Sequence, residues 1–216
     1  MKKTSRPLLI VGSRPYSLEI ADLANETGEY YVAGFVENLE RARCAEKLES
    51  WPIYWVEELA RLAQNHWAVC GIGTTQRERY VVQVSEYGMR FATVVHPRAR
   101  VSRRSQLGEG TILSVGSIVA SYSILGRHVI VNRGALIGHH THIGDFVTIG
   151  PGANVAGFCR IGNNSYIAMG AIVLDRISVG SHSVIGAGAV VTKDVPDHVE
   201  VVGIPAAIVK ENVEAR

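Results

Sequence analysis

From Val95 to Val191, every sixth residue of this chain is a valine, leucine or isoleucine. The series is Val95, Val101, Leu107, Leu113, Val119, Leu125, Val131, Ile137, Ile143, Ile149, Val155, Ile161, Ile167, Val173, Val179, Ile185 and Val191. A strict six-residue repeat is typical of a β-helix, in which each hexad forms one flat face and one corner. The aliphatic side chain then points into the coil, so the repeat predicts the fold of the second half of the chain.

Two further regularities support the coil. The residue four positions after each aliphatic is usually small, as at Ala135, Thr141 and Ala153, which is expected if it also points inward. A pair of an aliphatic residue and a glycine recurs every eighteen residues, from Leu107-Gly108 to Val179-Gly180. We expect these glycines to form tight turns. Three hexads therefore make one triangular coil.

The first part of the chain has a different pattern. Short apolar runs at 7–12, 30–37, 51–55, 67–73 and 90–96 alternate with stretches of helical spacing at 16–28, 56–65 and 76–88. Alternating strands and helices predict a parallel α/β sheet that binds ligands at the carboxyl ends of its strands. The predicted domains are an α/β domain at 1–94, a β-helix at 95–196 and a C-terminal tail at 197–216.

Composition excludes several classes of protein. The formal net charge of +2 is too small to indicate a nucleic-acid partner. The three cysteines, Cys44, Cys70 and Cys159, are far apart and predict reduced thiols rather than disulfides. The apolar run after the basic N-terminus is too short for a secretory signal, and no run approaches the ~18 apolar residues of a membrane span. These features predict a cytoplasmic protein.

The stretch LIGHHTHIG concentrates His139, His140 and His142 within four residues. A neutral imidazole is suited to take a proton near neutral pH, so one of them is a candidate general base. A zinc site is the alternative, but adjacent residues cannot all converge on one ion. The third interpretation is a set of polar side chains on a solvated turn.

The second half of the chain resembles the hexapeptide-repeat acyltransferases, whose coil is a left-handed parallel β-helix. The segments that carry the resemblance are VVHPRARV (94–101), LGEGT (107–111), IVNRGALIGHH (130–140), IGDFVTIGPGANVAG (143–157) and VIGAGAVVTKDVPDHVEVVGIPA (184–206). They are most similar to a subgroup with a Rossmann-like N-terminal domain. This subgroup includes bacterial nucleotide-amino-sugar N-acetyltransferases and sialic acid O-acetyltransferases.

The resemblance implies an activity and its partners. It implies a homotrimer with acetyl-CoA in the groove between neighbouring coils, no metal, and a nucleotide-sugar held by the N-terminal domain. His139 falls on the position of the general base, and His140 stands where the subgroup has an acidic residue. Asp145 is a candidate to replace that acid, and the alternative is that His140 itself hydrogen-bonds to the base. Thr148 stands where a second histidine often contacts the acetyl donor.

The resemblance also implies two sets of binding residues. Those for acetyl-CoA are Thr148, Gly150, Gly152, Gly157, Gly170, Gly188 and Lys193, with the backbone N–H groups of Gly150 and Gly152 as candidate oxyanion donors. Those for the nucleotide-sugar are Gly12, Ser13, Arg14, Glu37, Asn38, Gly73 and Thr74. In the turn GSRPYS, Arg14 and Pro15 replace the glycines that usually let phosphate approach a helix N-terminus.

The predicted function is therefore acetyl transfer from acetyl-CoA to an amino group of a nucleotide-linked sugar. Two alternatives stay open at this point. One is O-acetylation of a sugar hydroxyl, as in the sialic acid enzymes. The other is a non-catalytic hexapeptide-repeat protein, which the missing acid beside His139 and the altered GSRPYS turn would favour.

Overall fold

The computed structural model describes residues 5–215, and the chain divides into two compact units. The first contains the residues up to Gly73 together with Arg77–Pro97. The second contains Thr74–Gln76 together with the residues from Arg98 onward. The domain boundaries inferred from the sequence, at residues 94 and 196, stay predictions.

The first unit is built on a parallel sheet. The strands of this sheet are β1 (Arg6–Val11), β2 (Tyr30–Glu37), β3 (Lys47–Leu48), β4 (Trp51–Trp55), β5 (Trp67–Cys70) and β6 (Arg90–Phe91). The unit also contains the short strand β7 (Val94–Val95), outside this sheet, and the helices α1 (Pro15–Glu26), α2 (Leu59–Leu62) and α3 (Glu78–Glu86). The strand order is β3-β4-β2-β1-β5-β6, and only β3 runs antiparallel to its neighbour. The predicted Rossmann-like α/β architecture is confirmed.

Burial explains the sequence pattern of the central strand. Leu8, Leu9 and Ile10 are completely buried, because β1 lies between two parallel neighbours in the middle of the sheet. A strand covered on both faces reads as a continuous apolar run rather than an alternating one. Two elements are shorter than the sequence pattern predicts. The strand expected at 90–96 is two short strands, β6 and β7. The helix expected at 56–65 is a 3-10 turn followed by the single turn of α2.

The second unit is a triangular parallel β-helix with three faces. Face 1 contains β8 (Arg100–Val101), β11 (Ile118–Val119), β14 (Leu136–Ile137), β17 (Asn154–Val155), β20 (Ile172–Val173) and β23 (Val190–Val191). Face 2 contains β9 (Gln106–Leu107), β12 (Ile124–Leu125), β15 (His142–Ile143), β18 (Arg160–Ile161) and β21 (Ser178–Val179). Within this unit, face 3 contains β10 (Ile112–Leu113), β13 (Ile130–Val131), β16 (Thr148–Ile149), β19 (Tyr166–Ile167), β22 (Val184–Ile185), β24 (Val199–Val202) and the antiparallel β25 (Ala207–Glu211).

The hexad aliphatics form the core of the coil. From β8 to β23, strands of one face pair in parallel at a spacing of eighteen residues, so that Ile137 lies beside Val155. All fourteen hexad aliphatics from Leu113 to Val191 are buried. Full burial of one such side chain is worth about 1.5–3 kcal/mol, which explains why the repeat is strict. The left-handed parallel β-helix predicted from the repeat and the resemblance is confirmed.

The turns between faces fall into three columns, which we name corner A after face 1, corner B after face 2 and corner C after face 3. Left-handed residues occur at every corner, but their types differ. Corner A uses Tyr122, His140, Phe158 and Arg176; corner B uses Gly110, His128, Phe146, Asn164, His182 and His198; corner C uses Gly116, Gly134, Gly152, Gly170 and Gly188. The left-handed residues named for corner C are all glycines, whereas corners A and B use mainly larger side chains.

The glycine after each aliphatic was expected to be needed for a tight turn, and this expectation was wrong. Gly126 and Gly144 are not among the residues with left-handed φ values. A Cβ atom on Gly144 would lie 2.3 Å from Asn163 Oδ1 and 2.8 Å from the Asn163 nitrogen, both in the next coil. These glycines are needed because adjacent coils approach too closely for a side chain.

Candidate functional site

His139 and His140 lie together on corner A, in the turn between β14 and β15. Their Nδ1 atoms are 3.1 Å apart, and the two rings are nearly perpendicular, at 88°. Both side chains are exposed. Because a hydrogen bond between two nitrogens needs one donor and one acceptor, only one of the two Nδ1 atoms carries a proton in this contact.

Stacking holds the ring of His140 in place. His140 has a φ of +57° and lies between the rings of Tyr122 and Phe158, each with a centroid 4.9 Å away. The Arg104 guanidinium lies 5.6 Å from the Tyr122 ring, and the Arg176 guanidinium lies 4.7 Å from the Phe158 ring. We call these five residues the corner A column. It fixes the orientation in which His140 meets His139.

The ring of His139 rests against the backbone of Gly157, one coil further along. A Cβ atom at position 157 would lie 2.9 Å from Cε1 and 3.1 Å from Nε2 of His139. Phe158 contacts the same ring edge to face, with centroids 5.1 Å apart. Gly157 therefore provides the space that the imidazole occupies.

Asp145 lies on corner B and pairs with Arg127, so the structure does not bring it to His139. One oxygen accepts the Arg127 backbone N–H at 2.7 Å, and the other accepts Nε at 3.1 Å and Nη2 at 2.9 Å. Burial alone would raise the pKa of this carboxyl, but the hydrogen bonds and the charge of Arg127 outweigh it and lower the pKa. Asp145 is thus a charged residue that ties two coils together.

Face 2 carries a shallow groove of about 500 Å³. Its lining includes His142, Asp145, Arg160, Asn163 and Ser181. His142, the third histidine of the cluster, projects from face 2 at the start of β15 and therefore does not share the turn of His139. The three neighbouring histidines are divided between two surfaces of the coil.

The glycines predicted to contact acetyl-CoA occupy different places. Gly152, Gly170 and Gly188 form one exposed column on corner C, each with a φ of +66°, and a Cβ atom on any of them would meet nothing within 4 Å. Gly157 lies on corner A beside His139. A single chain therefore does not assemble these glycines into one site.

Two predicted oxyanion donors are already engaged in the coil. The N–H of Gly150 donates to the Ile167 carbonyl at 2.7 Å, and that of Gly152 donates to the Arg133 carbonyl at 3.0 Å. Those contacts are part of the regular bonding between coils, so neither N–H is directed at a ligand. The structure thus corrects the expectation that the N–H groups of Gly150 and Gly152 are free to donate to an oxyanion.

The two remaining residues predicted to contact acetyl-CoA, Thr148 and Lys193, differ in how exposed they are. Thr148 is buried on face 3, with 2% of its surface exposed. Lys193 is exposed just after β23. Their contact with acetyl-CoA stays a prediction.

In the first unit, Ser13, Glu37 and Asn38, three of the residues predicted around the nucleotide, come together. The Ser13 hydroxyl donates to one Glu37 oxygen, and the other oxygen accepts the backbone N–H groups of Asn38, Leu39 and Glu40 at 2.8–3.3 Å. Burial raises the pKa of the Glu37 carboxyl, but these hydrogen bonds outweigh it and lower the pKa. Glu37 holds the loops after β1 and β2 together, and its contact with a ligand stays a prediction.

Arginines lie beside this pair of loops. Arg43 donates from Nη2 to the Ser13 carbonyl at 2.7 Å and from Nε to the Ser13 hydroxyl at 3.0 Å. Arg14, at the start of α1, pairs with Glu40 at 3.0 Å and is exposed. Gly12 has a φ of +103° and would clash with Ile72 if it carried a side chain.

The other predicted nucleotide-sugar residues are more dispersed. The Asn38 amide donates to Gln83 on α3 at 2.7 Å. Gly73 lies against the ring of Tyr16, which would be 3.3 Å from a Cβ atom. Thr74 belongs to the second unit, and its contact with a nucleotide-sugar stays a prediction.

A cavity of about 410 Å³ opens after the end of β4. It is lined by Trp55 together with Arg41, Glu57, Glu58 and Arg61. The Arg41 guanidinium lies 5.5 Å from the Trp55 ring. The carboxyl end of a strand in an open parallel sheet is where such folds bind ligands.

Comparison with known proteins places this geometry in context. The family model described as bacterial transferase hexapeptide (six repeats) matches residues 140–174 and 158–193. A comparison with curated protein sequences finds no match.

Three solved structures are similar over nearly the whole chain. The first is a histidine-to-asparagine variant of perosamine N-acetyltransferase from Caulobacter crescentus in complex with CoA and GDP-perosamine, with 26% identity, a TM-score of 0.88, and coverage of 95% of this chain and 97% of that one. The second is the acetyltransferase domain of PglB from Neisseria gonorrhoeae in complex with acetyl coenzyme A, with 29% identity, a TM-score of 0.87, and coverage of 95% and 100%. WeeI from Acinetobacter baumannii, at 24% identity, a TM-score of 0.87 and coverage of 95% and 100%, shows the shared fold.

The chain carries bacterial transferase hexapeptide repeats and is an acyltransferase. Among residues 5–215 of this acyltransferase, no group of three or more histidine, cysteine or acidic side chains is arranged to hold a metal ion. In the same part of the chain, no helix is long and apolar enough to cross a membrane.

Sequence reasoning missed two features of the acyltransferase. One is the corner A column, although its members Arg104, Tyr122, His140, Phe158 and Arg176 differ by eighteen residues and the coil period was known. Testing that spacing around His140 would have found them. The other is Arg43, which lies in a 3-10 turn and gave no periodic signal.

Proposed function

We propose that this acyltransferase transfers the acetyl group of acetyl-CoA to the amino group of a nucleotide-linked amino sugar, with His139 as general base. The observation that carries the proposal is the exposed imidazole of His139, joined through Nδ1 to His140 and seated on Gly157. This arrangement leaves Nε2 as the nitrogen available to a substrate. A solved structure that is similar over nearly the whole chain contains CoA and GDP-perosamine, which supports both substrate classes.

The reaction needs no covalent enzyme intermediate. The amine nitrogen attacks the thioester carbonyl carbon, and His139 Nε2 takes the proton that the nitrogen loses. The tetrahedral intermediate then breaks its C–S bond, and the proton passes from His139 to the departing CoA thiolate. The products are the N-acetyl sugar and CoA.

The developing oxyanion needs a donor near the imidazole. Gly150 and Gly152 donate their N–H groups to carbonyls of other coils, as described above. Gly157 lies beside the His139 ring, so we assign the backbone N–H of Gly157 as the candidate oxyanion donor. Its lack of a side chain then serves two purposes, space for the base and access for the thioester.

The nucleotide of the acceptor is assigned to the first unit. The cavity at the end of β4 offers the indole of Trp55 for stacking against a base, and Arg41 and Arg61 for phosphate or base oxygens. Arg14 is exposed at the start of α1 and can meet a phosphate by charge. On this proposal, Trp55→Ala raises the KM for the nucleotide-sugar with little change in kcat.

We further propose that the active form is a homotrimer. Face 1 presents Ile118, Leu136 and Ile172 outward, each 37–38% exposed in the single chain. Exposed apolar side chains in one row are typical of a surface that another chain covers. In a trimer, corners of one β-helix lie beside a face of the next, which accounts for predicted site residues that a single chain keeps apart.

The test is an acetyl-CoA consumption assay with UDP-, GDP- and dTDP-linked 4-amino sugars. Turnover with one of them that falls at least about 100-fold in His139→Ala supports the proposal. His142→Ala is the matched control, because it removes a histidine three residues away that projects from face 2. Turnover only with a sugar hydroxyl would favour O-acetylation, and an unchanged rate in His139→Ala would refute the base assignment.

A further inference from the structure

The contact between His139 and His140 has two possible arrangements of its proton. In one, His139 Nδ1 donates to His140 Nδ1, and Nε2 of His139 is an unprotonated base. In the other, His140 donates, and the neutral His139 carries its proton on Nε2, where it cannot act as a base. The separation of 3.1 Å is compatible with either proton position.

We propose that His140 positions the base by accepting the Nδ1 proton of His139, so that the Nε2 lone pair of His139 is free for the acceptor amine. This inference rests on the proposed function of His139. His140 does not touch the reacting atoms and acts only through its neighbour. The neutral ring of His140 thereby accepts the Nδ1 proton of His139, as a negatively charged carboxylate would.

The surroundings of His140 favour a neutral acceptor. Tyr122 and Phe158 cover its two ring faces, and His139 meets its edge. One step further in the corner A column lie the guanidinium groups of Arg104 and Arg176. Asp175, 3.7 Å from Arg176, offsets part of one positive charge. Two cations at the ends of the column disfavour a third between them, because like charges repel.

One added proton switches the pair off, whichever ring carries it. If His139 holds the charge, its Nε2 is protonated. If His140 holds the charge, its Nδ1–H must donate to His139 Nδ1, and the proton of neutral His139 again sits on Nε2. Protonation of either ring therefore removes the base, and this loss is the acid limb of the kcat profile.

A carboxylate at position 140 would change that limb in a known direction. An adjacent negative charge stabilises the imidazolium form of His139, so loss of activity would begin at a higher pH. A neutral amide oxygen would accept the same Nδ1 proton without this effect. Comparing an imidazole, a carboxylate and an amide at position 140 thus shows which effects come from accepting the Nδ1 proton, which from the negative charge and which from the aromatic ring.

The experiment compares His140→Phe, His140→Asn and His140→Asp. The coil itself shows that these corners accept such residues, because Phe158 and Asn164 both have a φ of +59°. His140→Phe keeps the stacking and loses the acceptor; we expect an unchanged Tm and KM for acetyl-CoA, with kcat lower by at least about tenfold. An imidazole held in the wrong tautomer can cost as much as about 10⁴-fold in kcat.

The other two variants should restore activity in different ways. His140→Asn should return kcat to within about threefold of the wild type, with the acid limb unmoved. His140→Asp should also restore kcat and move the acid limb to higher pH. Wild-type kcat in His140→Phe, or equal losses in all three variants, would overturn the proposal.

A second measurement does not depend on turnover. Nitrogen-15 NMR of histidine-labelled protein, assigned with His139→Ala and His140→Phe, reports which ring nitrogens carry protons. Protonated Nδ1 and unprotonated Nε2 on His139 support the proposal, and the reverse tautomer overturns it. If the wild type acetylates no acceptor in the panel, the proposed function has failed, while the NMR result still decides how His140 positions His139.

Discussion

Gly157→Ala is a small substitution that should separate catalysis from stability. The added Cβ atom would lie 2.9 Å from His139 Cε1, whereas ordinary van der Waals contact begins at 3.4 Å. The imidazole must therefore withdraw by at least 0.5 Å, the difference between these two distances. The ring is exposed and at the end of a rotatable side chain, so it can move without disturbing the coil.

The expected magnitudes follow from this displacement. A misplacement of about 1 Å at a reacting group can cost about 100-fold in rate, so we expect kcat to fall by about 10- to 100-fold. The backbone of Gly157 is not left-handed, so alanine fits without strain. A compatible glycine-to-alanine change alters the free energy of unfolding by less than about 1 kcal/mol.

The assay measures kcat and Tm for Gly157→Ala, alone and combined with His139→Ala. If the alanine acts by displacing the imidazole, it should cost little once His139 is absent, because effects through one group are not additive. Asp175→Ala, at the equivalent position one coil further on, is the control and should keep wild-type kcat. A loss of equal size in both backgrounds would refute the reasoning and point to a direct role of Gly157.

Further predictions concern the fold and its charges. Ile149 is completely buried in the coil, so Ile149→Ala should lower the free energy of unfolding by about 2–5 kcal/mol in denaturant titrations. Because folding lowers the pKa of Asp145, the stability from its contacts with Arg127 is present at neutral pH and is lost as the pH falls through the lowered pKa. The Tm difference between wild type and Asp145→Asn should therefore shrink as the solution is acidified below about pH 4. Burial raises the pKa of the Cys70 thiol to about 11, so iodoacetamide at neutral pH should leave Cys70 unmodified in the folded protein, as mass spectrometry of the digested protein would show.

The candidate site was only partly visible in the sequence. His139 stood out through the resemblance and the cluster of histidines, and the structure shows it exposed beside His140. The suggestion that Asp145 might serve His139 did not survive, because the next turn of the coil carries Asp145 to another corner and to Arg127. Two residues that are six positions apart, such as His139 and Asp145, lie at equivalent points of neighbouring corners and therefore face different sides of the coil.

The first unit shows the same limit. Glycines, Ser13 and Glu37 could be located after their strands from the pattern alone, since loops at the carboxyl ends of parallel strands meet at one edge. In the structure, Ser13 and Arg43 lie at one oxygen of Glu37, and three backbone N–H groups donate to the other. These contacts depend on how two loops fold against each other.

The β-helix, its core and its period follow from the amino-acid sequence alone. Each coil must bury its own aliphatic residues, so the same requirement recurs every six residues and can be read directly from the chain. The contacts between side chains of neighbouring coils became visible only in the folded molecule: Tyr122 and Phe158 against His140, His139 on Gly157, and Asp145 on Arg127. Such contacts depend on side-chain direction and on neighbours about eighteen residues away, and hydrogen-bond partners are chosen by geometry rather than by residue type.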